Sequence, residues 1–443
     1  MRVLKFGGSS LATQEKRRTA EELVRACRRD EAVVVVVSAL DGMTELLEEV
    51  GTAAAAGDRT CVHRFLAEIR ERHEGSDMAL LAELEHVLFG LAAIGEITPR
   101  TRDLVLSFGE RLSAPLFAAE LGPEAQAFDG KQAGIVTDER WGEASPLREV
   151  TRFEVSRRLR PPLDAGRIPV VTGFVGATQH GAYTTLGRGG SDFTATLIGA
   201  ALGAAEVWLC SDVDGIKAAN PKIVPDARRL DTISFLEALE IVQFGAKGIH
   251  PRALEPAIEH NIPVRIVNTA HPDRGATVIG ARRASDDAHV AGSVHLVEDV
   301  ALLTVAGAAM VGRPGTAARV FQTIADAGIN ILMISQSVSE AGISIALRRR
   351  QADRARAALE GALVRTGYVR GIIVEEDMSI IAIVGEGMRG TPGVAARVFG
   401  AVARAGINVV AIAQGSSELS ISFVVSASQG HSAVRALYAE LVS

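Results

Sequence analysis

The chain has 443 residues, of which 47% are hydrophobic and 23% charged, and its formal net charge is −6 at pH 7. This length and composition are typical of a globular protein with two or three domains, each large enough for a hydrophobic core. The acidic balance argues against the basic surface that nucleic-acid binding needs, and no apolar run is long enough to cross a membrane.

Cysteine and histidine usage gives no sign of a disulfide framework or a metal site. Cys27, Cys61 and Cys210 are far apart, odd in number and outside any metal-ligand spacing. The histidines are scattered, and His250 is interpreted as a structural or surface group. The N-terminal "MRVLKFGGSS" lacks the apolar core of a signal peptide, so we expect a cytoplasmic protein without a bound metal.

Short β-branched runs alternate with helical stretches over residues 1–270. Continuously apolar strands separated by helices predict a mostly parallel sheet with both faces covered. The long amphipathic stretches around 15–29 and 102–121 are predicted helices. The predicted strands are "RVLKF" (2–6), "AVVVVVS" (32–38), "IPVVTGF" (168–174), "EVWLC" (206–210) and "VRIVN" (264–268).

A glycine-rich segment, "KFGGSS" (5–10), follows the first strand directly and precedes a helix. Glycines there let backbone N–H groups approach a phosphate, although a plain strand-to-helix turn has the same composition. The segment matches neither GxxxxGK[ST] nor GxGxxG. Lys5 favours the phosphate interpretation, because a lysine on a buried strand is costly unless it is paired.

A second glycine-rich loop, "LGRGGSD" (186–192), carries opposite charges on either side of two glycines. The planar guanidinium of Arg188 suits a carboxylate, and Asp192 can accept from an ammonium group. Asp192 could equally cap a helix that begins at Phe193. The pair of charges favours a clamp for a small zwitterion.

Three further polar residues are candidates for the same site. Ser38 and Thr44, in "VVSALDGMTE" (36–45), lie at the end of a buried strand, where ligands gather in open α/β sheets. Glu110 lies on a predicted helix, where a carboxylate is usually a solvated surface group. Position alone assigns Glu110 no role.

The polar stretch 268–292 is predicted to contain a linker, and an internal repeat follows it. "GTAARVF" (315–321) recurs as "GVAARVF" (393–399), and "AGIN" (327–330 and 405–408) recurs at the same offset of 78 residues. Two copies indicate tandem small domains more than a solenoid.

Each copy is predicted to fold as strand, helix, strand, strand, helix. A strand-like "RGIIVEE" (370–376) follows the first copy, nothing follows the second, and a spare "SVHLVE" (293–298) precedes the first. We expect the second copy to borrow that early strand, which nests the first copy inside it. The predicted domains are 1–280, a linker 281–292, a discontinuous domain of 293–298 with 377–443, and a nested domain 299–376.

Three motifs in this order resemble the aspartate kinases of the amino-acid-kinase family: "KFGGSS", "TTLGRGGSDFTA" (184–195) and "FGAKGIHPRALEPA" (244–257). The repeated half is similar to the paired ACT domains that regulate those enzymes. The resemblance implies an α/β three-layer sandwich with a mostly parallel sheet, followed by two ferredoxin-like α+β ACT domains. "LMISQSVSEAGISI" and "AIAQGSSELSIS" are most similar to the threonine-sensitive branch. In that branch a homoserine dehydrogenase is often fused, and we expect it to be absent here.

The resemblance implies transfer of the γ-phosphoryl group of ATP, with Mg²⁺, to the β-carboxylate of L-aspartate. It makes Lys5, Asp192 and Lys247 the catalytic set. It places Arg188 on the α-carboxylate of aspartate, and Asp192 and Glu110 at its amino group. The other implied substrate contacts are Ser38 and Thr44. The implied nucleotide contacts are Lys5, Gly7, Gly8, Ser9, Ser211, Asp212, Lys217, Lys222 and Lys247.

The nucleotide segment departs from the family pattern at three positions. Lys217 stands where a tyrosine is common, Asn220 where an aspartate is common, and Lys222 where an arginine is common. Lys222 keeps the charge but loses bidentate geometry. Nucleotide affinity and adenine packing are the properties that these departures affect.

Both repeat copies carry a polar pair around one strand: Asn330 with Gln336, and Asn408 with Gln414. Such a residue is commonly a plain strand terminus, but the duplication and the resemblance imply an effector site for threonine, with lysine as an alternative. A second copy of the chain, bound through the ACT domains, is the other implied partner. Two alternatives stay open: a kinase for glutamate, N-acetylglutamate or a nucleotide, and a catalytically silent amino-acid sensor.

Overall fold

The computed structural model describes residues 1–75, 77–244, 249–281, 291–307, 310–339, 341–365, 367 and 369–442. These residues fold into two compact units. The first contains residues 1–216, 231–235 and 249–281, and the second contains 217–230, 236–244 and the described residues from 291 onward. The predicted domain 1–280 therefore includes two segments of the second unit, and the predicted boundaries stay predictions. No described helix is long and apolar enough to cross a lipid bilayer.

The helices and strands up to residue 281 are numbered in chain order. They are β1 (Arg2–Phe6), α1 (Gly8–Leu11), α2 (Gln14–Arg28), β2 (Val33–Val37), α3 (Met43–Ala55), α4 (Arg59–Arg72), α5 (Met78–Ile94), α6 (Pro99–Leu121), β3 (Ala125–Phe128), α7 (Gly130–Ala133), β4 (Val136–Thr137), α8 (Arg148–Asp164), β5 (Ile168–Thr172), β6 (Val175–Thr178), β7 (Tyr183–Thr185), α9 (Gly190–Leu202), β8 (Glu206–Ser211), β9 (Thr232–Ser234), α10 (Phe235–Gln243), α11 (Pro251–Glu259), β10 (Val264–Asn268), a 3-10 turn (Pro272–Arg274) and β11 (Ala276–Gly280).

Eight of the described strands form one sheet, in the order β3-β5-β2-β1-β8-β10-β11-β9. Every neighbouring pair is parallel except β10 with β11. The five valines of β2 are fully buried, as β-branched runs are when helices cover both faces of a sheet. The predicted mostly parallel α/β sheet is confirmed, and the five predicted strands form its continuous centre.

Helix α6 carries part of the site into the interior. Its start is fixed by Thr98, whose side chain accepts from the Thr101 amide, and by Pro99 in the first turn. Most of the helix from Asp103 onward is buried, including Glu110. A helix that the sequence predicts as amphipathic is therefore covered on several sides.

The elements of the remaining chain continue the same numbering. They are β12 (Ser293–Ala306), α12 (Thr316–Asp326), β13 (Met333–Gln336), β14 (Gly342–Arg348), a 3-10 turn (Arg349–Gln351), α13 (Ala352–Leu359), a π-helical turn (Glu360–Val364), β15 (Gly371–Val384), a 3-10 turn (Glu386–Met388), α14 (Val394–Arg404), β16 (Ala411–Gln414), β17 (Ser420–Ser426), a 3-10 turn (Ala427–Gln429) and α15 (Gly430–Leu441).

Six of the described strands form an antiparallel sheet in the order β13-β14-β12-β15-β17-β16. Strands β12 and β15 have 14 residues each. Strand β12 joins the predicted strand 293–298 to the first strand of the first copy, and β15 joins the predicted strand 370–376 to the first strand of the second copy. Residues 293–297 of β12 pair with residues 380–384 of β15. This pairing supports the prediction that the early strand 293–298 completes the sheet of the second copy. The predicted α+β class of the repeated half is confirmed.

The two edge strands of this sheet come together. Ser335 Oγ on β13 donates to the Ile412 backbone oxygen on β16 at 2.8 Å. Because Gln336 and Gln414 end these two strands, equivalent residues of the two repeat copies lie at the ends of neighbouring strands.

Candidate active site

The glycine-rich segment after β1 turns into the single helical turn α1 and packs against the chain that leaves β2. A Cβ atom added to Gly8 would lie 2.6 Å from the Ala39 backbone oxygen, so only glycine allows this approach. Lys5 reaches the same turn, since its Nζ atom is 3.6 Å from the position of a Cβ atom on Gly7. The segment brings backbone and an ammonium group to the carboxyl ends of the central strands, where ligands bind in open α/β sheets.

Lys5 is paired with an acid from the second glycine-rich loop. Its Nζ atom lies 2.7 Å from Asp192 Oδ1, and the two side chains are 15% and 14% exposed. A charge-assisted hydrogen bond of this length is among the stronger ones in proteins. Asp192 is therefore the partner that a lysine on a buried strand requires, and it fixes the position of the Lys5 ammonium group.

Residues 186–192, here called the clamp loop, precede helix α9. The helix begins at Gly190 with Gly189 as its cap, at φ 73°, and Asp192 lies inside the first turn. The alternative in which Asp192 caps a helix beginning at Phe193 is therefore wrong. Arg188 is exposed on the loop, and its guanidinium makes no hydrogen bond or ion pair with the residues that the structure describes.

Glu110 lies in the interior of the first unit and is 3% exposed. Burial raises its pKa to about 8, although hydrogen bonding by the Ala39 backbone and the charge of Lys5 favour the ionised form. Its Oε2 atom is buried and has no hydrogen-bond partner among the described residues. The surface interpretation of Glu110 is therefore wrong. A buried oxygen without a partner is costly, and a cationic ligand group would satisfy it.

The raised pKa of Glu110 predicts how stability depends on pH. A carboxyl whose pKa is higher in the folded state than its ordinary value of 4.5 keeps its proton longer when folded. The free energy of unfolding should therefore fall as pH rises from about 4.5 to about 8, by up to about 1.4 kcal/mol per pH unit. Glu110→Gln has no proton to lose, so its stability advantage over the unsubstituted protein should grow with pH across that window.

Denaturant unfolding of both proteins from about pH 5 to about pH 9 measures this difference. Glu96→Gln, which alters an exposed carboxylate, is the matched control and should track the unsubstituted protein. Parallel stability curves for Glu110→Gln and the unsubstituted protein would contradict the prediction.

These groups line one cleft of about 390 Å³ in the first unit. The predicted site residues that it brings together are Lys5, Gly8, Ser9, Ser38, Thr44, Glu110, Arg188 and Asp192. Sequence reasoning missed Phe174, which also lines the cleft at φ 60°, a backbone conformation that is rare for a bulky side chain. A cleft with both cationic and anionic walls suits a small zwitterion more than an apolar ligand.

The predicted nucleotide residues outside the cleft are divided between the two units. Ser211 is the last residue of β8 in the first unit and Asp212 follows it, and Ser211 Oγ donates to Asp212 Oδ1 at 3.2 Å. Lys217 and Lys222 belong to the second unit. Lys247 lies outside the described residues. The nucleotide roles of these residues stay predictions.

A hydroxyl network that sequence reasoning missed joins the turn after β1 to the end of β8. Thr269 Oγ1 lies 3.0 Å from Ser10 Oγ and donates to the Ser211 backbone oxygen at 3.1 Å. Asn268 Nδ2 donates to Asp214 Oδ1 at 2.5 Å. The available signal was the polar pair Asn268–Thr269 at the end of a buried strand, a position that resembles that of Ser38.

The predicted effector residues lie in the second unit and are all exposed. Gln336 and Gln414 are the last residues of β13 and β16, paired with Ile343 and Ile421. The effector roles of these two residues, and of Asn330 and Asn408, stay predictions.

Metal and thiol chemistry have few candidates in the described part of the chain. No group of three or more histidine, cysteine, aspartate or glutamate side chains there could hold a metal ion. The three cysteines are free thiols, with Cys27 and Cys210 buried and Cys61 partly exposed.

Comparison with known proteins covers the entire chain. Residues 1–268 match the model of the amino acid kinase family, and residues 303–363 and 381–441 each match the model of an ACT domain. The chain is 35% identical over 456 residues to Aspartokinase 3, chloroplastic, of Arabidopsis thaliana, covering 98% of this chain and 80% of that protein. It is 33% identical over 463 residues to a bifunctional aspartokinase/homoserine dehydrogenase of Haemophilus influenzae, covering 100% of this chain but 56% of that protein.

Two solved structures of E. coli aspartokinase III are similar along the full length of both chains, at 29% identity. The complex with aspartate and ADP, called the R-state, gives a TM-score of 0.81. The complex with lysine and aspartate, called the T-state, gives a TM-score of 0.80. The chain thus shares its architecture with these two structures over both of its halves.

Proposed function

The chain belongs to the amino acid kinase family, among its aspartokinases, and we propose that it transfers the γ-phosphoryl group of MgATP to the β-carboxylate of L-aspartate. The observation that carries this proposal is the cleft on which Lys5, Glu110 and Arg188 converge. The unpaired guanidinium of Arg188 suits an α-carboxylate, and the buried Glu110 Oε2, which has no partner among the described residues, suits an α-ammonium group. The aspartate bound in the similar E. coli structures supports the same substrate.

Glu110 is the acceptor that we assign to the amino group of aspartate. Asp192 already pairs with Lys5 at 2.7 Å, whereas Glu110 Oε2 has no partner among the described residues. An arriving ammonium group would restore the missing hydrogen bond and favour the ionised form of Glu110. Asp192 then acts mainly by orienting Lys5, which refines the role that the sequence predicted for it.

Phosphoryl transfer to aspartate requires little acid–base chemistry from the protein. The β-carboxylate is ionised near pH 7, so it can attack the γ-phosphorus without a strong general base. Catalysis then depends on alignment and on neutralising the charge of the transferring group. Lys5, held by Asp192, is the described residue that we assign to this task. Lys247 and Mg²⁺ are the other cations of the proposal.

The nucleotide is proposed to enter along the end of β8, beside the turn after β1. The hydroxyl network of Ser10 and Thr269 supports this position, because it holds the two segments together. Mg²⁺ would arrive with the phosphates as part of the substrate. The ADP in the similar E. coli structure supports an adenine nucleotide as the donor.

A coupled assay of ADP release tests the proposed substrate. Purified protein with MgATP should release ADP with L-aspartate and much less with L-glutamate or N-acetyl-L-glutamate. Added hydroxylamine should trap the acyl phosphate as aspartate hydroxamate. Turnover with glutamate alone would indicate a different amino-acid kinase, and no turnover with any of the three would indicate a ligand-binding sensor.

We also propose that an amino-acid effector regulates the reaction through the repeated half, with threonine as the first candidate and lysine as the second. Two hydrogen bonds within the second unit support communication along the chain. Glu240 on α10 accepts from Ser420 Oγ on β17 at 2.9 Å, and Glu237 accepts from the Glu386 amide at 2.9 Å. Helix α10 is thereby bound to the sheet that carries the proposed effector residues, and an effector needs only to bind one state of the chain better than the other to regulate the reaction.

The hydroxamate assay with increasing threonine or lysine measures this regulation. We expect one of the two to inhibit, and Gln336→Ala or Gln414→Ala to raise the half-inhibitory concentration without changing the uninhibited rate. Inhibition that is unchanged in both variants would contradict the assigned effector residues.

We propose a homo-oligomer that forms through the ACT domains and a cytoplasmic location. The apolar edge strands of the antiparallel sheet support the first, since Ile334 and Ile412 are 43% and 45% exposed. The three separate free thiols are typical of a reducing compartment.

A further inference from the structure

We propose that Arg252 is a positioning residue that holds the clamp loop in the shape that presents Arg188 to the substrate. The inference rests on the proposed function, because it assumes that Arg188 binds the amino-acid substrate. Arg252 belongs to the "HPR" at the start of α11, which neither the sequence analysis nor the proposed mechanism gives a role.

One side chain contacts both ends of the clamp loop. Arg252 Nη1 donates to the Leu186 backbone oxygen at 2.8 Å, at the first residue of the loop. Its guanidinium lies over the Phe193 ring, 4.9 Å from the ring centroid, at the first residue after the loop. Nη2 donates more weakly to the Ala144 backbone oxygen at 3.4 Å. Arg252 therefore joins the beginning of the loop to the first turn of α9.

The loop between these contacts needs external support. Gly187 and Gly189 both have positive φ, 76° and 73°, and glycine reaches many other conformations at little cost. Arg188, between them, makes no hydrogen bond or ion pair with the described residues, so the position of its guanidinium depends on the backbone that carries it. Contacts that hold the backbone of the clamp loop therefore also hold Arg188 in the position proposed for substrate binding.

A neighbouring contact holds the middle of the loop. A Cβ atom on Gly189 would lie 2.2 Å from the Cβ atom of His250, so the two residues pack with no space between them. His250 is itself fixed, because its Nδ1 atom accepts from the Arg252 amide at 3.4 Å. The start of α11 thereby supports the loop at its beginning, middle and end.

Arginine suits this position better than lysine. A planar guanidinium can lie on an aromatic ring and donate in its own plane to a carbonyl oxygen at the same time. A lysine ammonium group can reach the carbonyl but cannot lie flat on the ring. Arg252→Lys should therefore restore part of what Arg252→Ala loses.

Steady-state kinetics with aspartate and MgATP test the inference. Arg252→Ala should raise KM for aspartate about tenfold, while KM for ATP changes by less than about twofold. Arg252→Lys should raise KM for aspartate about threefold, and Phe193→Leu should have an effect of similar size. A purely structural role would lower the thermal unfolding temperature and the yield of active protein without this selective change in KM.

Arg160→Ala is the matched control. Arg160 Nη2 donates to the Leu202 backbone oxygen at 3.4 Å, at the far end of the same helix α9, and its loss should leave KM for aspartate unchanged. If the unsubstituted protein phosphorylates aspartate and Arg252→Ala keeps its KM, the inference is overturned. If the unsubstituted protein does not turn over aspartate at all, it is the proposed function that fails.

Discussion

Replacement of Lys5 by alanine is expected to lower kcat for aspartate phosphorylation by about 10²–10³, the usual effect of losing one preorganised charge contact in an active site. The Lys5 ammonium group is held 2.7 Å from Asp192 in a site where both side chains are largely buried. It is therefore fixed before the substrates bind, and little reorganisation is needed as charge develops on the transferring group. KM for aspartate should change much less than kcat. Coupled ADP release at saturating substrates measures the effect.

Substitution of Asp192, the partner of Lys5, tests whether the contact between the two residues contributes to kcat. Asp192→Asn should weaken the positioning of Lys5 without removing its charge, so kcat should fall less than in Lys5→Ala. The double variant should lose less than the product of the two single effects, because both substitutions disrupt the same contact. Lys131→Ala removes an exposed lysine elsewhere in the first unit and should leave kcat unchanged. Near-normal kcat in Lys5→Ala would refute the assigned role.

The centre of the large sheet was predictable because its chemistry is local. Strand β2 consists of five valines, and β1, β5, β8 and β10 are mostly apolar runs with few polar residues, a pattern typical of strands buried on both faces. The edge strands β3 and β9 have four and three residues, and their sequences, AQAF and TIS, have no comparable pattern. These edge strands form because they pair with β5 and β11, which are distant in the sequence, so a short stretch of sequence does not predict them.

The site was partly predictable for a related reason. Glycine and charge patterns identified the turn after β1 and the clamp loop, because backbone conformation and ligand chemistry restrict those residues directly. The burial of Glu110 could not be read from its place on a helix, because a carboxylate on a helix is usually solvated. The contacts of Arg252 and Thr269 join residues that are 66 and 259 positions apart in the chain. Only the tertiary fold brings these residues together.

The pairing of Asp192 with Lys5 changes the role that the sequence predicted for Asp192. A zwitterion clamp built from Arg188 and Asp192 requires both side chains to be available to the ligand. The described structure has Arg188 unpaired and Asp192 engaged with Lys5, while Glu110 Oε2 lacks a partner. The two α-groups of the substrate would then be held by different elements, the clamp loop and α6, with Lys5 and Asp192 between them and the phosphates.

Arg188→Ala is expected to raise KM for aspartate about 10²-fold, since it removes the charge-assisted contact that we assign to the α-carboxylate. KM for ATP should stay nearly constant, because the guanidinium belongs to the amino-acid side of the cleft. Arg188→Lys keeps the positive charge but loses the planar pair of donors, so it should recover only part of the affinity. Calorimetric titration with aspartate, without nucleotide, should show the same order of affinities as the kinetic constants.

The control for this series is Arg140→Ala, which removes a guanidinium that is 70% exposed and paired with Asp138, outside the cleft. It should bind aspartate as the unsubstituted protein does. If Arg188→Ala also binds aspartate with unchanged affinity, the α-carboxylate has another partner, and the clamp loop would have to act on the phosphates instead. If KM for ATP rises and KM for aspartate does not, the same conclusion holds. A selective loss of aspartate affinity in Arg188→Ala that is larger than the loss in Arg252→Ala fits only one arrangement. The clamp loop then carries the guanidinium that binds aspartate, and Arg252 holds the loop in place.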